Sequence, residues 1–243
     1  MFFPIGDDQV RGGHKPIFSY ILLGINVMVF AFETTLDGQS LANFTYTFGA
    51  IPDHFLHGEH LISLVTGLFL HGGWAHLLGN MLFLWVFADN VEATIGSMKF
   101  LVFFILGGIA STIFHGLIFP DSSLPLIGAS GAIAAVLGAY LIMFPHSRIK
   151  VLVLILFTSF NVPALLFLGF WIITQFFDGY GSLGAVSAEG AGIAYWAHVG
   201  GFLFGVVVGY YAKKTYNPRL ITEEENKADQ YVKEISTIGF MII

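Results

Sequence analysis

The chain has 243 residues, of which 56% are hydrophobic and only 11% are charged, with a formal net charge of −6 at pH 7. A soluble domain has about 25% charged residues, so this composition excludes an ordinary soluble protein and indicates one that crosses a membrane several times. The chain has no cysteine, which excludes a disulfide framework and a thiol nucleophile. We expect membrane lipid around it and no nucleic-acid partner.

Six apolar runs of roughly 17 to 25 residues are suited to crossing a bilayer as helices. They lie at about 17–36, 74–91, 98–119, 127–144, 163–177 and 191–211. Two further apolar stretches, 61–70 and 151–160, are separated from their neighbours by helix-breaking residues, and we expect them to be interfacial or re-entrant. The sequence therefore predicts an all-α polytopic membrane protein with a six-helix bundle.

The positive charges indicate how the spans are oriented. All ten Lys and Arg residues fall in the N-terminal segment, in the turns after spans two and four, and in the C-terminal tail. The connections on the other side carry acidic residues only, so the positive-inside rule puts both termini in the cytoplasm. The predicted organisation is a cytoplasmic segment, a six-helix domain and a cytoplasmic tail, at 1–16, 17–212 and 213–243.

Ser130 and His198 are polar residues in two of the apolar spans. Ser130 lies in Gly-Ala-Ser-Gly at 128–131, near the start of span four, and His198 lies in Ala-His-Val-Gly-Gly at 197–201, near the start of span six. Both spans run from outside to inside, so the two side chains share a depth near the outer face. A polar group in lipid needs a partner, and this pair indicates a serine nucleophile with its base. Simple helix packing is the alternative role for a serine beside glycines.

Small residues on spans four and six favour their close contact. Gly201, Gly205 and Gly209 repeat every four residues on span six, a pattern typical of helices that touch in lipid. The facing stripe expected on span four is Ser130, Ala134, Leu137 and Gly138. We expect supporting roles for three glycines, Gly128, Gly131 and Gly201. Apart from Glu189 in the preceding loop, no carboxylate is close to His198 in sequence, so a two-member dyad is favoured over a triad.

His76 and Asn80 are four residues apart and share a helical face, with His71 just before the Gly-Gly break that precedes them. Acyl transfer needs hydrogen-bond donors aimed at the developing oxyanion, and an imidazole with a side-chain amide supplies them. Loss of one such donor costs on the order of 3 kcal/mol of transition-state stabilisation. The alternative is a polar contact between helices, worth about 1 kcal/mol.

These motifs, taken together and in this order, resemble the rhomboid intramembrane serine proteases. The motifs are His-x4-His-x3-Asn at 71–80, Gly-Ala-Ser-Gly at 128–131 and Ala-His-x2-Gly-x3-Gly at 197–205. Phe-Gly-Ala-Ile-Pro at 48–52 and Asp-Asn-Val-Glu at 89–92 extend the resemblance over nearly the whole chain. The resemblance implies a rhomboid-like helical bundle, and it implies that the protein is an enzyme that hydrolyses peptide bonds.

The resemblance also implies a role for each candidate residue. Ser130 is then the nucleophile, His198 the general base, and His76, Asn80 and the Ser130 backbone amide the oxyanion hole, while His71 supports them. Glu92 is then a structural residue of a cytoplasmic turn. Some members put a tyrosine against the catalytic histidine where this chain has Ala134. The group that positions the His198 ring is therefore left open.

The implied substrates are transmembrane helices of other membrane proteins, cut near their outer ends at helix-breaking segments after a small residue. No metal and no organic cofactor are implied, and the bare six-span core resembles bacterial members, which suggests a bacterial inner (plasma) membrane. The loop at 178–190 is a candidate mobile cap over the site. The short span beginning at Pro163 is a candidate gate for substrate entry.

Other functions remain to be weighed against this one. His54-x2-His57-x2-His60 suggests a metalloprotease, but the chain has no His-Glu-x2-His motif, so weak metal binding or simple loop polarity is favoured. An aspartyl intramembrane protease is disfavoured because none of the spans has an aspartate in its middle. The non-enzymatic alternatives are a proteolytically weak membrane protein that binds clients and a transporter, for which broken helices and paired repeats are more typical.

Overall fold

The computed structural model describes residues 2–10, 13–153, 155, 157–183, 194–218 and 220–221. The described part is mostly helical, and a 3-10 turn follows α4 at Gly67–Phe69. The helices are α1 (Phe18–Glu33), α2 (Gly38–Phe48), α3 (Pro52–Leu56), α4 (Ser63–Thr66), α5 (Trp74–Ile95), α6 (Ser97–Ile118), α7 (Ser130–Met143), α8 (Ala164–Ser182) and α9 (Tyr195–Tyr216). The strands are β1 (Phe2–Gly6), β2 (Gln9–Val10), β3 (Arg148–Val153), β4 (Thr158–Pro163) and β5 (Leu220–Ile221).

Each predicted span overlaps one of the long helices, in the order α1, α5, α6, α7, α8 and α9. Among the described residues, α6 and α8 are long and apolar enough to cross a membrane, and α1 and α7 are shorter apolar helices. α7 begins later than predicted because residues 127–129 form a loop. α8 extends to Ser182, so the predicted cap begins as helix, and its remainder at 184–190, with Glu189, lies outside the described residues.

The fold is mostly helical but not all-α, which corrects the prediction from sequence. β1, β3 and β4 form an antiparallel sheet in that order, and β2 pairs with β5. The stretch at 151–160, expected to be interfacial or re-entrant, contributes residues 151–153 to β3 and 158–160 to β4, which pair as a hairpin. Ile149 and Val151 are buried while the alternating Arg148 and Lys150 are not. This alternation is typical of a strand, and it begins before the apolar run that suggested a membrane piece.

α7 is the central helix of the described structure. Each residue at 131–140 is buried, and α7 contacts α5, α6, α8 and α9. A Cβ atom on Gly201 would lie 2.1 Å from the Gly131 carbonyl oxygen, and one on Gly205 would lie 1.9 Å from the Ala135 carbonyl oxygen. The predicted glycine stripe therefore packs directly on α7. The residues it contacts there, Gly131 and Ala135, each lie one position after the residue expected from the sequence.

α1 begins at a buried carboxylate that α5 contributes. Glu92 is fully buried, and its two oxygens accept hydrogen bonds from the backbone N–H groups of Ile17, Phe18 and Ser19 at 2.7, 2.9 and 2.7 Å. The Ser19 hydroxyl donates a further bond of 2.6 Å. A helix leaves its first N–H groups without internal partners, and Glu92 satisfies them here. The contact gives Glu92 a structural role in joining α1 to α5.

The end of the molecule that contains the last turn of α7 lies opposite Ser130, and we call it the basal end. α7 has 14 residues, so the two ends are about 20 Å apart. At the basal end the Asn90 side chain accepts a 2.8 Å bond from the Val10 N–H and donates one of 2.8 Å to the Asp8 carbonyl. The Arg148 N–H donates to the Asp8 carboxylate at 3.0 Å. The N-terminal segment is thereby tied to α5 and to β3.

Candidate active site

The loop before α7 places Ser130 at the first position of that helix. The Gly128 N–H donates to the Gly67 carbonyl at 2.8 Å, which holds the loop against the 3-10 turn. Gly128 has a φ of +113°, and a Cβ atom there would lie 2.5 Å from His76 Nε2. Glycine is needed at this position for both reasons, and its small size lets His76 lie beside the start of α7.

Ser130 and His198 are in hydrogen-bonding contact. His198 is in the first turn of α9, and its Nε2 atom lies 2.8 Å from the Ser130 hydroxyl oxygen. Ser130 is half-buried and His198 is buried, with 7% of its surface exposed. The crossing of α7 and α9 on small residues produces this contact. A serine hydroxyl bonded to an imidazole nitrogen has the geometry that nucleophilic catalysis requires.

Two further partners of the His198 ring come from α8, and the sequence did not suggest them. The Gln175 Oε1 atom lies 2.6 Å from His198 Nδ1. The Trp171 ring packs on the imidazole with centroids 5.8 Å apart and planes inclined at 34°. Trp171 and Gln175 are four residues apart and so share a helical face. A buried glutamine in an apolar span was the signal that could have indicated this contact.

His76 and Asn80 lie on the same face of α5 and border the loop at Gly128. The Gly72 N–H is 3.4 Å from His76 Nδ1, so Nδ1 is on the accepting side and Nε2 carries the proton that faces Gly128. The Asn80 Nδ2 atom lies 2.9 Å from His71 Nε2. One of its two hydrogens serves that bond, and the other is free for a ligand. Two donors therefore converge beside Gly128, two residues before Ser130.

His71 and Glu33 hold Asn80 in place. Both residues are buried, and the His71 N–H donates to the two carboxylate oxygens of Glu33 at 3.1 and 3.3 Å. His71 Nδ1 lies 3.3 Å from the Phe69 carbonyl, so it is the donor nitrogen and Nε2 accepts from the Asn80 amide. His71, for which the sequence predicted a supporting role, thus accepts a hydrogen bond from Asn80. The sequence did not suggest the role of Glu33.

A small pocket beside Ser130 has room for about one water molecule. Its lining includes the hydroxyl-bearing residues Ser63, Ser111 and Thr112, together with Gly128. Hydroxyl groups can hold water, and hydrolysis of an acyl intermediate requires water next to the nucleophile. The pocket therefore joins a polar space to the Ser130 hydroxyl.

The three histidines of the His-x2-His-x2-His motif, His54, His57 and His60, make their contacts outside this site. The His54 and His60 rings are 5.5 Å apart, while His57 Nδ1 contacts the Asp53 carbonyl at 2.6 Å. That bond, together with the Asp53 carboxylate at 3.5 Å, raises the pKa of His57 above its ordinary value. Within the described residues, no group of three or more His, Asp or Glu side chains is arranged to bind a metal ion.

Comparison with known proteins gives matches over most of the chain. The Rhomboid domain model matches residues 58–215. "Rhomboid protein 1, mitochondrial" of Saccharomyces cerevisiae is 30% identical over 206 residues, which cover 83% of this chain and 55% of that protein. "Rhomboid protease GluP" of Bacillus subtilis is 28% identical over 208 residues, which cover 86% of this chain and 38% of that protein.

A third relative is "Presenilin-associated rhomboid-like protein A, mitochondrial" of Danio rerio, which is 30% identical over 159 residues. The match covers 61% of this chain and 37% of that protein. The chain thus spans between 37% and 55% of the length of these three relatives. The domain match includes the helices that carry His76, Ser130 and His198.

Proposed function

Because the chain belongs to the Rhomboid family, we propose that it is an intramembrane serine endopeptidase with Ser130 as nucleophile and His198 as general base. The observation that carries the proposal is the 2.8 Å contact between the Ser130 hydroxyl and His198 Nε2. Curated relatives that include a rhomboid protease support the reaction class, which is peptide-bond hydrolysis. The substrates would be membrane proteins that offer a transmembrane helix.

In the first chemical step, His198 Nε2 accepts the hydroxyl proton while the Ser130 oxygen attacks the scissile carbonyl. The oxyanion that develops is stabilised by the His76 Nε2–H and the Asn80 Nδ2–H. The Ser130 backbone N–H is a third donor, because it is the first of the N–H groups that α7 leaves unpaired. His198 then returns the proton to the leaving amine, and an acyl-enzyme remains.

In the second step, water from the pocket beside Ser130 attacks the acyl-enzyme, with His198 again accepting a proton. The same donors stabilise the second oxyanion. The reaction releases the new carboxyl end of the substrate and restores the Ser130 hydroxyl. The Ser130 hydroxyl and the attacking water give up the protons that His198 transfers, while the amide groups only donate hydrogen bonds to the oxyanion.

We further propose that six helices, α1 and α5 to α9, lie in the bilayer with the basal end in the cytoplasm. Basic residues at the basal end support this orientation: Lys213 Nζ donates to the Ile142 carbonyl at 2.9 Å, and Lys99 Nζ is 2.7 Å from the Tyr216 hydroxyl. Ser130 would then lie near the outer face. A bacterial plasma membrane is the location proposed for the chain.

A substrate helix must unwind before it can present an extended carbonyl to Ser130. Residues that weaken a helix lower the cost of this step, and glycine or proline would therefore favour cleavage. We propose that cleavage occurs near the outer end of the substrate helix, after a small side chain. The α8 helix, whose side chains at Leu166, Phe170 and Phe177 are exposed, borders the site where a substrate helix would enter from lipid.

The test is a cleavage assay with purified protein in detergent or liposomes and a labelled transmembrane substrate. Wild type is expected to cut the substrate, and Ser130→Ala is expected to abolish cutting. Ser123→Ala, at an exposed serine in the connection before α7, is the matched control and should cut at the wild-type rate. Cleavage that survives Ser130→Ala would overturn the proposal, and activity lost only on treatment with a chelator would indicate a metal-dependent enzyme.

A further inference from the structure

The imidazole of His198 needs a defined tautomer for the proposed reaction. Neutral imidazole carries its proton on one nitrogen, and only an unprotonated Nε2 can accept the proton of Ser130. The hydrogen bond at the other nitrogen decides which tautomer is present. Here Nδ1 is 2.6 Å from the Gln175 side chain, and both residues are buried, with 7% and 9% of their surfaces exposed.

A glutamine side chain can present either an oxygen or an NH₂ group to Nδ1, and the two orientations have opposite consequences. An oxygen would accept a proton from Nδ1–H and leave Nε2 free. An NH₂ group would donate to Nδ1, place the imidazole proton on Nε2 and prevent His198 from acting as a base toward Ser130. The group that fixes the glutamine orientation therefore matters for the chemistry.

The neighbouring Thr174 fixes that orientation. Gln175 Nε2 is 3.3 Å from the Thr174 hydroxyl oxygen, and the same hydroxyl donates its proton to the Trp171 carbonyl at 2.7 Å. With its proton used in this way, the hydroxyl oxygen is an acceptor toward the Gln175 NH₂ group. The amide oxygen is then the atom that faces His198 Nδ1.

The four hydrogen bonds form a chain in which every donor points the same way. Ser130 donates to His198, His198 to Gln175, Gln175 to Thr174, and Thr174 to a backbone carbonyl of α8. The terminal carbonyl has no proton to give, so reversing the chain would require Thr174 to give up its 2.7 Å bond to Trp171 and turn its hydroxyl proton toward Gln175.

We propose that Gln175 and Thr174 are positioning residues that hold His198 in its Nδ1–H tautomer and so keep Nε2 available to accept the Ser130 proton. This inference rests on the function proposed above and deepens it. Trp171 adds a restraint on the imidazole plane from the same helix. The sequence left open which group positions the His198 ring, because this chain has Ala134 where some family members have a tyrosine, and α8 supplies that group.

A neutral amide suits this buried position. A carboxylate in a site of low dielectric constant carries a large desolvation cost unless it is paired with a charge, whereas an amide carbonyl accepts the same hydrogen bond without that cost. The carbonyl dipole also favours the imidazolium that forms when His198 takes the proton. The dyad therefore has a third, uncharged member that acts only through His198.

The test combines steady-state kinetics with ¹⁵N NMR of protein that contains ¹⁵N-labelled histidine. Gln175→Met keeps the length of the side chain and removes the amide, and Thr174→Val replaces the hydroxyl with a methyl group. Gln175→Met is expected to lower kcat by about 10-fold to 100-fold with KM within about twofold, since orientation of the base is lost and substrate contacts are kept. Thr174→Val should lower kcat by a smaller factor, and Thr174→Ser should restore it.

The His198 signals are assigned by their absence from spectra of His198→Ala. In wild type, the imidazole is expected to be protonated at Nδ1 and unprotonated at Nε2, and Gln175→Met and Thr174→Val should each shift the population toward the other tautomer. A merely structural role for Gln175 or Thr174 would leave this tautomer ratio unchanged.

An Nε2–H tautomer in wild type would overturn the inference, as would a wild-type kcat and tautomer ratio in both Gln175→Met and Thr174→Val. If Ser130→Ala abolishes cleavage while these variants behave as wild type, the protease function stands and the positioning role fails. Cleavage that persists in Ser130→Ala removes the proposed function instead. If Gln175→Met does not fold, the conservative pair Thr174→Val and Thr174→Ser decides the result by the same two measurements.

Discussion

Two buried polar groups at opposite ends of the molecule, Glu92 and His198, are bonded in different ways. Four hydrogen bonds to Glu92, three from backbone N–H groups and one from the Ser19 hydroxyl, join α5 to α1. His198 has one polar partner at each ring nitrogen, Ser130 and Gln175. The Glu92 carboxylate, with both oxygens bonded, contributes stability. The chain of hydrogen bonds through His198 instead leaves the Ser130 hydroxyl proton in position to be transferred. Changes at Glu92 should therefore alter folding, and changes around His198 should alter catalysis.

The largest effect is expected from Asn80→Ala, which removes a donor to the oxyanion. We expect kcat to fall by about 10² to 10³, because one such donor contributes about 3 to 4 kcal/mol in the transition state. The loss of the 2.9 Å bond leaves His71 Nε2 without this donor and should cost about 1 to 3 kcal/mol of unfolding free energy. Cleavage kinetics and chemical unfolding in detergent measure the two effects. Asn43→Ala, at an exposed asparagine of α2, is the control.

An Asn80→Ala variant that cuts at the wild-type rate would remove Asn80 from the oxyanion hole. A variant with a large loss of stability and an unchanged kcat would place Asn80 with Glu92 as a structural residue. Either result would contradict the expectation that changes near His198 alter catalysis while changes at Glu92 alter folding.

Glu92→Ala is expected to change activity less than Asn80→Ala does and to lower stability more. The variant leaves three backbone N–H groups and a hydroxyl without their acceptor, and we expect the unfolding free energy to fall by about 3 kcal/mol or more. Glu92→Gln keeps one carbonyl oxygen and should lose less. The folded fraction of each variant should retain kcat within about twofold, since the dyad is about 20 Å away. Denaturant titration with parallel cleavage assays measures both.

Wild-type stability in Glu92→Ala would show that the four hydrogen bonds contribute little to folding. A well-folded Glu92→Ala protein without activity would show that the two ends of the molecule are coupled, contrary to the expectation above.

The smallest effect concerns Asp7, at the basal end. Burial, with the nearby Asp89 charge, raises the pKa of Asp7 well above its ordinary value, although Tyr140 and Asn90 donate hydrogen bonds that oppose the shift. The folded state therefore binds more protons than the unfolded state, and stability falls as pH rises from about 4 through the raised pKa. We expect Asp7→Asn to gain about 2 °C or more in Tm relative to wild type between pH 4 and pH 8.

Asp37 is the matched control because its shift has the opposite sign. The Ser40 N–H donates a 2.8 Å bond to the Asp37 carboxylate and lowers its pKa. The stability that this bond contributes is present above the ordinary pKa and is lost as pH falls through the lowered pKa. Asp37→Asn should therefore lower Tm at pH 8 and not at strongly acidic pH. The same pH trend for both variants would contradict the assignment of Asp7 as a destabilising carboxyl.

Much of the helical order followed from the sequence because apolar runs of bilayer length are a strong signal. The β3–β4 hairpin did not, because the apolar run at 151–160 conceals an alternation that starts at Arg148. The N-terminal strands were also missed, since β1 and β2 are short and their partners are distant in the chain. Pairing between distant segments is not visible in local periodicity.

The residues of the candidate site also fall into two groups, those that the sequence indicated and those that it did not. Ser130, His76 and Asn80 belong to short motifs, so spacing along one helix or turn was enough to nominate them. Gln175 and Glu33 are single polar residues in apolar spans, and their meaning depends on which helix packs beside them. Helix neighbours are set by packing of many residues, so neither contact could be predicted from spacing alone.

The central claim is that Ser130 is a nucleophile activated by His198, and covalent labelling tests it most directly. Wild-type protein is treated with a fluorophosphonate, and the modified residue is identified by mass spectrometry of the digested protein. We predict one adduct, on Ser130, formed at least about 100-fold more slowly in His198→Ala because the hydroxyl has lost its base. An adduct on another residue, or labelling of Ser130 at the same rate in His198→Ala, would contradict the proposed mechanism.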